Sequence, residues 1–346
     1  MIEVDGKFGE SGGQILRTAC AFSAVTGKPC HVFGIRKGRP KPGLMTQHLL
    51  GIRALNELCQ GKLEGDELGS EEIWFEPGQI QAKNIQVKIE TAGSIILVLQ
   101  TLLLPCLFAP GPVRVSFRGG ATDTFFSPTI DYFRYVFLKI LEKIVSQKVA
   151  DIEIKRRGFY PEGGAEVEVL VYPHTKFGVG VKPISLTKRG PLKKLIVISG
   201  ASEFLKTTKV AERQIAGVKE VLGKLKLPME EKIEYYNSQS PGSQINIIGE
   251  FENTIIGADN LGKLGKSAEE VGKEAAENFL EQGKSNACLD KHLADQILPF
   301  LFLGKNKSSV TVSEVTEHCK TNIWVIEKFI DGKFGIKDNL ITWLPK

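Results

Sequence analysis

The chain has few of the residues that mark common metal and nucleotide sites. Its six cysteines are scattered and form no Cys-x-x-Cys pair, which argues against a zinc site. It contains only five histidines. No Gly-x-Gly-x-x-Gly follows a strand-like run, and two partial matches to Gly-x4-Gly-Lys-Ser/Thr, at 257–264 and 260–267, are incomplete. A standard P-loop or Rossmann nucleotide site is therefore disfavoured.

The chain also lacks a hydrophobic run long enough to span a bilayer. The longest run, 94–108, contains Gln100 and Pro105 and is predicted to be a buried helix. The N-terminus does not show the charged-then-apolar pattern of a signal peptide, so we expect a cytoplasmic protein with no membrane partner. Most of the cysteines stand in apolar surroundings and are predicted to be buried thiols.

The numbers of basic and acidic residues are nearly equal. The chain has 45 Lys and Arg against 40 Asp and Glu, and its formal net charge is +5. This balance permits an anionic partner without requiring one. The positive charge is concentrated in segment 34–41, which carries four basic residues and no acidic one. The apolar and charged fractions, 42% and 25%, are typical of a soluble globular protein.

Strand-like and helix-like patterns alternate along the first half of the chain. Strands are predicted at 30–35, 85–90, 113–117, 151–156 and 166–172, and helices at 15–26, 44–59, 93–107 and 128–145. Strands mixed with helices at this spacing predict an α/β or α+β layered fold. Glycine pairs recur at 12–13, 119–120 and 163–164, which favours internal repetition.

The length of 346 residues exceeds that of most single domains, so we expect one large and one smaller domain. The pattern changes near Pro183, where a basic connector is followed by a strand, an amphipathic helix and two more strands. A helix at 268–282 then resumes the earlier character. The sequence therefore predicts a small α/β domain inserted at 184–264 into a large domain made of 1–183 and 265–346.

A glycine-rich loop around a single carboxylate, Glu10, follows the strand-like residues 1–4 and leads into a helix-like run. Glycines let a backbone approach a ligand closely, and the N–H groups at a helix start favour anions. Arg17, Arg36 and Arg39 follow, with forked donors that suit phosphate. The pattern predicts a site for a phosphate ester and a metal. A simple strand–helix turn with a solvated glutamate, and arginines on a solvated face, are the alternatives.

Two C-terminal segments contain further candidate residues. His318 lies in a polar loop predicted between a strand at 309–313 and a helix at 322–329. A neutral imidazole close to a helix N-terminus is a competent nucleophile, whereas a lone histidine is more often structural. His292 and Asp295 share a helix face at i, i+3 spacing. Asp295 is equally compatible with an ordinary surface position, so the pattern alone leaves both segments open.

Several motifs, in order, resemble those of the RNA 3′-terminal phosphate cyclase family, and the resemblance covers essentially the whole chain. The motifs lie at 5–17, 34–44, 47–49, 157–164, 293–296 and 318–323. The segment 157–164 (Arg-Gly-Phe-Tyr-Pro-Glu-Gly-Gly) was not selected by its chemistry, and only the resemblance draws attention to it.

The resemblance implies an ATP-dependent enzyme that converts an RNA 3′-terminal phosphate into a 2′,3′-cyclic phosphodiester. In that family a histidine attacks the α-phosphorus of ATP, pyrophosphate leaves, and AMP stays on the histidine. The AMP then passes to the RNA 3′-phosphate as a 3′–5′ pyrophosphate, and the vicinal 2′-OH attacks with release of AMP. The matching histidine here is His318. The implied partners are ATP, RNA 3′-phosphate ends and a divalent cation, Mg²⁺ or Mn²⁺.

The resemblance also assigns supporting residues. Glu10 matches the metal-binding carboxylate, and Arg17 is assigned to the reacting phosphate. The ATP side of the site is assigned to Arg36, Arg39, Gln47, His48, Pro128, Tyr132, His292, Asp295 and Gln296. Within that set the two arginines are expected at the phosphates, and His48 has no defined role. There is one departure: His292 stands where family members often have a tyrosine that stacks on adenine.

The family fold implies three repeated units, each with two helices on a four-stranded sheet, and a smaller α/β domain inserted late. Two alternatives share this fold. A non-catalytic, cyclase-like RNA-binding protein of ribosome assembly would lack the histidine and much of the arginine cluster, and an enolpyruvyl transferase needs no nucleophilic histidine. The presence of His318, Glu10 and the arginines favours the cyclase. The sequence leaves the oligomeric state open, with a homodimer among the options.

Overall fold

The structure is a computed structural model that describes residues 1–174, 182–304 and 306–346. Four four-stranded sheets organise this part of the chain. Three of them belong to units with the same order of elements, β-α-β-α-β-β, and the fourth belongs to a unit inserted into the third. The layered fold of repeated α/β units with an insertion, predicted above, is confirmed.

The first unit places two helices on one face of its sheet. Its elements are β1 (Ile2–Asp5), α1 (Gly13–Thr26), β2 (Cys30–Phe33), α2 (Thr46–Cys59), β3 (Lys62–Glu64) and β4 (Glu72–Glu76). The strand order is β1-β2-β4-β3, with β1 and β2 parallel and the other pairs antiparallel. Because neighbouring strand residues point to opposite faces, Val32 and Ile73 are buried, while His31 and Trp74 stack on the outer face.

The second unit repeats this arrangement with longer strands. Its elements are β5 (Asn84–Ser94), α3 (Ile95–Leu107), β6 (Val113–Ala121), α4 (Ile130–Tyr132), a π-helical turn (Phe133–Phe137), α5 (Leu138–Val145), β7 (Ala150–Arg156) and β8 (Glu166–Val171). The strand order β5-β6-β8-β7 is equivalent to that of the first unit. Nearly every residue of α3 is buried, which confirms the buried helix predicted for 94–108.

The third unit begins with β9 (Ser185–Leu186) and is at once interrupted by the inserted unit. The inserted elements are β10 (Leu192–Ser202), α6 (Val210–Leu222), β11 (Met229–Tyr236), β12 (Ser243–Phe251), β13 (Ile255–Leu261) and α7 (Ala268–Lys284). Their sheet has the order β11-β10-β12-β13. The partial phosphate-loop match at 257–264 begins on β13, so its first glycine is a strand residue and not part of a phosphate-binding loop.

The third unit resumes after the insertion. Its remaining elements are α8 (Lys291–Ile297), a 3₁₀ turn (Leu298–Leu303), β14 (Ser308–Thr311), α9 (Glu317–Phe329), β15 (Gly332–Lys337) and β16 (Leu340–Pro345). The strand order is β15-β16-β14-β9, and β9 pairs with β14 in parallel across the whole insertion. Two strands far apart in sequence therefore close this sheet.

Helix α7 packs differently from the sequence interpretation, which placed the helix at 268–282 in the large domain. Its apolar face lies against α6 and the inserted sheet, where Val271, Ala275 and Phe279 form a second core with Val218. The amphipathic pattern was recognised, but the pattern does not identify the surface that the helix covers. We therefore propose that the inserted unit extends to the end of α7, residue 284, and not to 264.

The main core is formed where the helices of the three repeated units meet. Helix α1 contacts α2, α3 and α9, so one helix joins elements from all three units. The face of the inserted sheet that is not covered by α6 and α7 contributes Ile198 and Ile248 to the same core. Gly257 of β13 lies so close to the second unit that a Cβ there would be 2.6 Å from Val136. The inserted unit thus packs directly onto the large domain.

The cysteines and the glycine pairs can be compared with their predictions. All six cysteines are free and buried, and burial was predicted for most of them. Among the described helices, none combines the length and hydrophobicity needed to cross a bilayer. The glycine pairs do not mark the repeat, because 12–13 form the start of a helix, 119–120 lie near the end of a strand and 163–164 lie between two strands. The repetition is real, but the pairs occupy different places in it.

Candidate active site

The glycine-rich loop between β1 and α1 is held against helix α9. Phe8 stacks on Trp324 with ring centroids 4.1 Å apart and the rings nearly parallel. Gly9 has a φ of 56°, and a Cβ on it would lie 2.5 Å from Thr321 Oγ1. Both the backbone conformation and this close approach require glycine. As a result, Glu10 is presented to the first turn of α9.

His318 lies in that first turn. Thr316 caps α9, its Oγ1 accepting a hydrogen bond from the N–H of Cys319 at 3.2 Å. The helix therefore begins at Glu317, and the predicted polar loop up to 322 was wrong, because the capping threonine starts the helix five residues earlier. His318 Nε2 lies 3.2 Å from Glu10 Oε2, and Arg39 Nη2 lies 3.4 Å from the same oxygen.

The surroundings of His318 favour its neutral form. Partial burial lowers the pKa of the imidazole, Glu10 opposes this, and Arg17 and Arg39 lower it further. The side chain remains 42% exposed. A neutral, accessible imidazole at the start of a helix has a free lone pair for attack and lies where backbone N–H groups favour an anion.

Arg17 and Asp295 face one another beneath the loop. Burial lowers the pKa of Arg17 to about 10 against the raising effect of Asp295. Burial raises the pKa of Asp295 to about 7 against the lowering effect of Arg17. Both residues line a narrow cavity of about 50 Å³ together with Gln100 and Gln296. Arg17 is therefore cationic at neutral pH, and the Asp295 carboxyl is close to half protonated.

The two arginines of the basic segment have different tasks. Arg36 has a φ of 54°, and its Nη1 donates to the carbonyls of Lys41 (2.6 Å) and Gly43 (2.9 Å). It thereby braces its own loop, and burial lowers its pKa. Arg39 is exposed and reaches Glu10. Arg39 is thus the more accessible of the two for a phosphate.

Gln47 and His48 lie in the first turn of α2. His48 Nδ1 accepts a hydrogen bond from the N–H of Met45 at 3.2 Å, while its Nε2 faces Gly13, where a Cβ would lie only 2.1 Å away. Burial, followed by Arg17 and Arg36, lowers the pKa of His48 to about 3. His48 is therefore a neutral packing residue under the glycine pair. Gln47 Oε1 faces Gly93.

The residues assigned to the nucleotide base lie around α8. His292 is exposed, Pro128 is half-buried, and Gln296 Oε1 accepts from Gln100 Nε2 at 3.0 Å. Tyr132 is different, because it is buried and its OH donates to Asp290 Oδ1 at 2.7 Å. Tyr132 therefore braces the start of α8 and presents no free surface to a ligand.

Comparison with known proteins agrees with this geometry. A family model described as RNA 3′-terminal phosphate cyclase matches residues 8–336. The chain belongs to this family. Among its relatives is the RNA 3′-terminal phosphate cyclase of Pyrococcus abyssi, 45% identical over 97% of this chain and 95% of that protein. The proteins of the same name from Pyrococcus furiosus, 44% identical over 97% and 95%, and Archaeoglobus fulgidus, 41% identical over 99% of each chain, are similar to it throughout.

The predictions of this family and of an enzyme are thereby confirmed. The structure brings His318, Glu10 and Arg39 into contact in this cyclase-family chain, with Arg17 and Asp295 beside them. The roles assigned to the individual residues remain proposals.

Two amides that the sequence interpretation did not assign join the halves of the site. Gln14 Nε2 donates to Asp295 Oδ2 at 3.1 Å and reaches the carbonyl of His318 at 3.5 Å. Asn322 accepts from Thr18 and donates to the carbonyl of Asp295, both at 2.7 Å. Gln14 and Asn322 lie within the family motifs, but uncharged amides carry no chemical signal that would have selected them.

The Arg157 motif lies elsewhere, at the contact with the inserted unit. Arg157 is buried, its guanidinium donating to Asp123 (3.1 Å) and Asp131 (2.7 Å) and lying 4.2 Å above the Tyr236 ring. Burial opposes its charge, but Asp131 and Asp123 raise its pKa above the ordinary value. Gln244 of the inserted sheet also donates to Asp131. The motif therefore holds the two units together.

The residues at the loop fit a divalent metal only in part. Among the residues that the structure describes, no cluster of three or more His, Cys, Asp or Glu could hold an ion. Glu10 offers an accessible carboxylate, and the buried Gln14 Oε1 has no hydrogen-bond partner in the described part of the chain. One carboxylate combined with substrate phosphate oxygens is a common arrangement for Mg²⁺.

Proposed function

We propose that this protein is an ATP-dependent RNA 3′-terminal phosphate cyclase that works through a covalent His318–AMP intermediate, with RNA processing in the cytoplasm as its expected setting. The observation that carries the proposal is the contact of His318 Nε2 with Glu10, itself in contact with Arg39. The residues proposed as nucleophile, metal ligand and phosphate-binding cation are in contact there, although His318 is about 300 residues from the other two. The names of the relatives supply the reaction.

In the first step, His318 attacks the α-phosphorus of ATP. A nitrogen–phosphorus bond forms, the bond to the bridging oxygen breaks, and pyrophosphate leaves. Arg39 is placed to stabilise the charge on the leaving pyrophosphate, and the N–H groups at the start of α9 face the same region. The neutral state of His318 provides the lone pair.

In the second and third steps, the adenylyl group moves to RNA and leaves again. An oxygen of the RNA 3′-phosphate attacks the phosphoramidate, and the nitrogen–phosphorus bond breaks. The neighbouring 2′-OH then attacks the terminal RNA phosphorus, loses its proton and expels AMP. Arg17, a half-buried cation close enough to His318 to influence its charge, is assigned to the reacting RNA phosphate. When bound, the metal at Glu10 would neutralise phosphate charge.

The base of ATP is assigned to the surface between Pro128 and His292. The loop holding Pro128 is fixed by Thr129, whose N–H donates to Asp259 at 2.8 Å, and His292 is close enough to influence the charge of the same aspartate. Imidazole stacks over less area than a phenol ring. We therefore propose looser selection of adenine over other bases than a tyrosine would give.

The test is labelling of the protein by α-labelled ATP with Mg²⁺ or Mn²⁺ and no RNA. We expect acid-labile label on the wild-type chain, none on His318→Ala, and none when the metal is chelated. His31→Ala is the matched control, because His31 lies on the outer face of the first sheet between Glu3 and Glu72. Label that persists in His318→Ala would refute the nucleophile.

The same experiment separates the two classes of function. A non-catalytic RNA-binding protein would bind RNA but take up no label in the wild-type chain. Labelled enzyme should also pass its AMP to an oligoribonucleotide with a 3′-phosphate and should leave one with a 3′-hydroxyl unchanged. Transfer to both ends alike would contradict the proposed substrate.

A further inference from the structure

Two exposed phenylalanines stand on the loop between β6 and α4. Phe125 is about half exposed, and Phe126 is fully exposed to solvent. Phe126 also has a φ of 62°, a left-handed conformation that bulky residues rarely adopt. Exposed aromatic rings on an unfavourable backbone are costly, and such features are concentrated at functional sites. These two features make the loop a candidate binding surface.

The loop is anchored at both sides of these rings. Ser127 Oγ lies 2.5 Å from Ser94 Oγ, and Thr129 Oγ1 donates to Asn246 Oδ1 at 2.7 Å. On the other side, the N–H of Thr122 donates to the carbonyl of Gly158 at 3.0 Å. Anchors this close keep the two rings in place, which lowers the entropy lost when a partner binds.

The anchors also connect the loop to the starts of helices α2 and α3. Ser94 caps α3, and Gln100 of the same helix bonds to Gln296 about 9 Å further along. Gly93, next to the cap, faces Gln47 Oε1 at the start of α2. The rings thus stand on a loop that is attached at the start of α3, next to the start of α2 and its candidate residue Gln47.

Two residues that follow these rings in the chain are tied to different parts of the molecule. Ser127 is tied to Ser94, whereas Thr129 is tied to Asp259 on the side of His292. Phe126 directly precedes Ser127 and so belongs to the part of the loop that is tied to Ser94. Lys37 and Lys41 of the basic segment are exposed and suit the phosphates of a bound strand.

We propose that Phe125 and Phe126 form a stacking platform for a base at the 3′ end of the RNA substrate. Aromatic side chains beside basic residues are the usual means of binding single strands without reading sequence. This inference rests on the proposed function for its ligand. It predicts that RNA ends of any sequence bind, with the terminal bases unstacked from their neighbours.

The test compares Phe126→Ala and Phe125→Ala with Phe204→Ala, which removes another exposed ring, on the inserted unit. Binding of a 3′-phosphorylated oligoribonucleotide is followed by fluorescence anisotropy, and adenylylation by ATP is measured separately without RNA. We expect about 10-fold weaker RNA binding for Phe126→Ala, a KM for ATP within about twofold of wild type, and recovery of RNA binding with Phe126→Trp. Phe204→Ala should match the wild type in both assays.

A second arm uses RNA that lacks one of its two terminal bases. For one of these two RNAs, the wild type should lose as much affinity as Phe126→Ala loses for intact RNA. Phe126→Ala should bind that abasic RNA no more weakly than it binds intact RNA, because the stacking contact is already absent. Unchanged RNA binding by Phe126→Ala, additive losses, or a raised KM for ATP would overturn the platform. The platform would also be overturned if Phe126→Ala kept its affinity for RNA but sedimented with a lower mass than the wild type, because the rings would then serve self-association. Because binding is measured without catalysis, a wild-type chain that takes up no label would refute the proposed function and not this inference.

Discussion

At the scale of single residues, the site depends on charges whose ordinary states are shifted by burial. Arg17 keeps its charge with a pKa of about 10, and His48 stays neutral with a pKa of about 3. Asp295 is the sensitive member, since burial brings its pKa to about 7. A small change in the occupancy of the site will therefore change the protonation of Asp295 before that of the other two.

The Asp295 shift predicts how stability depends on pH. The folded protein holds the carboxyl proton up to about pH 7, whereas the unfolded chain releases it near its ordinary value of 3.8. The contribution of the Asp295 proton to the unfolding free energy is complete below pH 3.8. It is lost as the pH rises through about 7, by at most about 1.4 kcal/mol per pH unit. Asp295→Asn removes this loss, so its advantage in unfolding free energy over the wild type should grow between pH 4 and 7.

Urea denaturation at one-unit pH intervals measures this difference. Asp66→Asn is the matched control, because it removes an accessible carboxylate that pairs with Arg53. A difference between Asp295→Asn and the wild type that stays constant over this range would contradict the raised pKa.

At the scale of elements, helix α8 is positioned by one buried carboxylate. Asp290 Oδ1 accepts from the N–H groups of His292 and Leu293 and from the OH of Tyr132, while its Oδ2 accepts from the N–H of Gly257. It therefore joins the third unit, the second unit and the inserted sheet. A seven-residue helix has little stability of its own, so this cap determines where Asp295 and Gln296 are held.

Tyr132→Phe tests that positioning role. Loss of the hydroxyl should lower the unfolding free energy by about 1–2 kcal/mol and raise the KM for ATP in adenylylation, because α8 is less firmly held. Tyr135→Phe is the control on the same helical segment. A raised KM with unchanged stability would instead indicate that Tyr132 contacts the nucleotide directly.

At the scale of the molecule, the inserted unit is fastened to the large domain by a buried charged network. Arg157 and Asp131 from the second unit meet Gln244 and Tyr236 from the inserted unit. Removing one partner of a buried ion pair is strongly destabilising, because the other charge is left buried without a partner. The network thus specifies one docking arrangement.

Arg157→Met should therefore lower the unfolding free energy by about 3–5 kcal/mol and increase hydrogen exchange in β12, which carries Gln244. Arg114→Met, which breaks an exposed pair with Glu168, should change stability by about 1 kcal/mol or less. Equal effects of the two substitutions, measured by denaturation, would show that the buried network does not fasten the units.

The sequence could predict the parts of this molecule that follow from local pattern or from chemically distinctive residues. Helix and strand periodicity identified most elements of the first two units. The glycine-rich loop, the basic segment and the junction of a strand and a helix led to Glu10, Arg39 and His318 as candidates, and the structure brings these three together. What it could not predict depends on three-dimensional packing. The face covered by α7, the cap that starts α9 at Glu317, and the amides of Gln14 and Asn322 are defined only by neighbours distant in sequence.

The pairing of β9 with β14 has a consequence for the newly made protein. On the ribosome, the glycine-rich loop and the basic segment are made before the third unit, and the third sheet cannot close until β16, which lies between β14 and β15, has been translated. Helix α9 packs on β15 of that sheet. We therefore expect that the contact between Glu10 and His318 is not held in a nascent chain until β16 has been made.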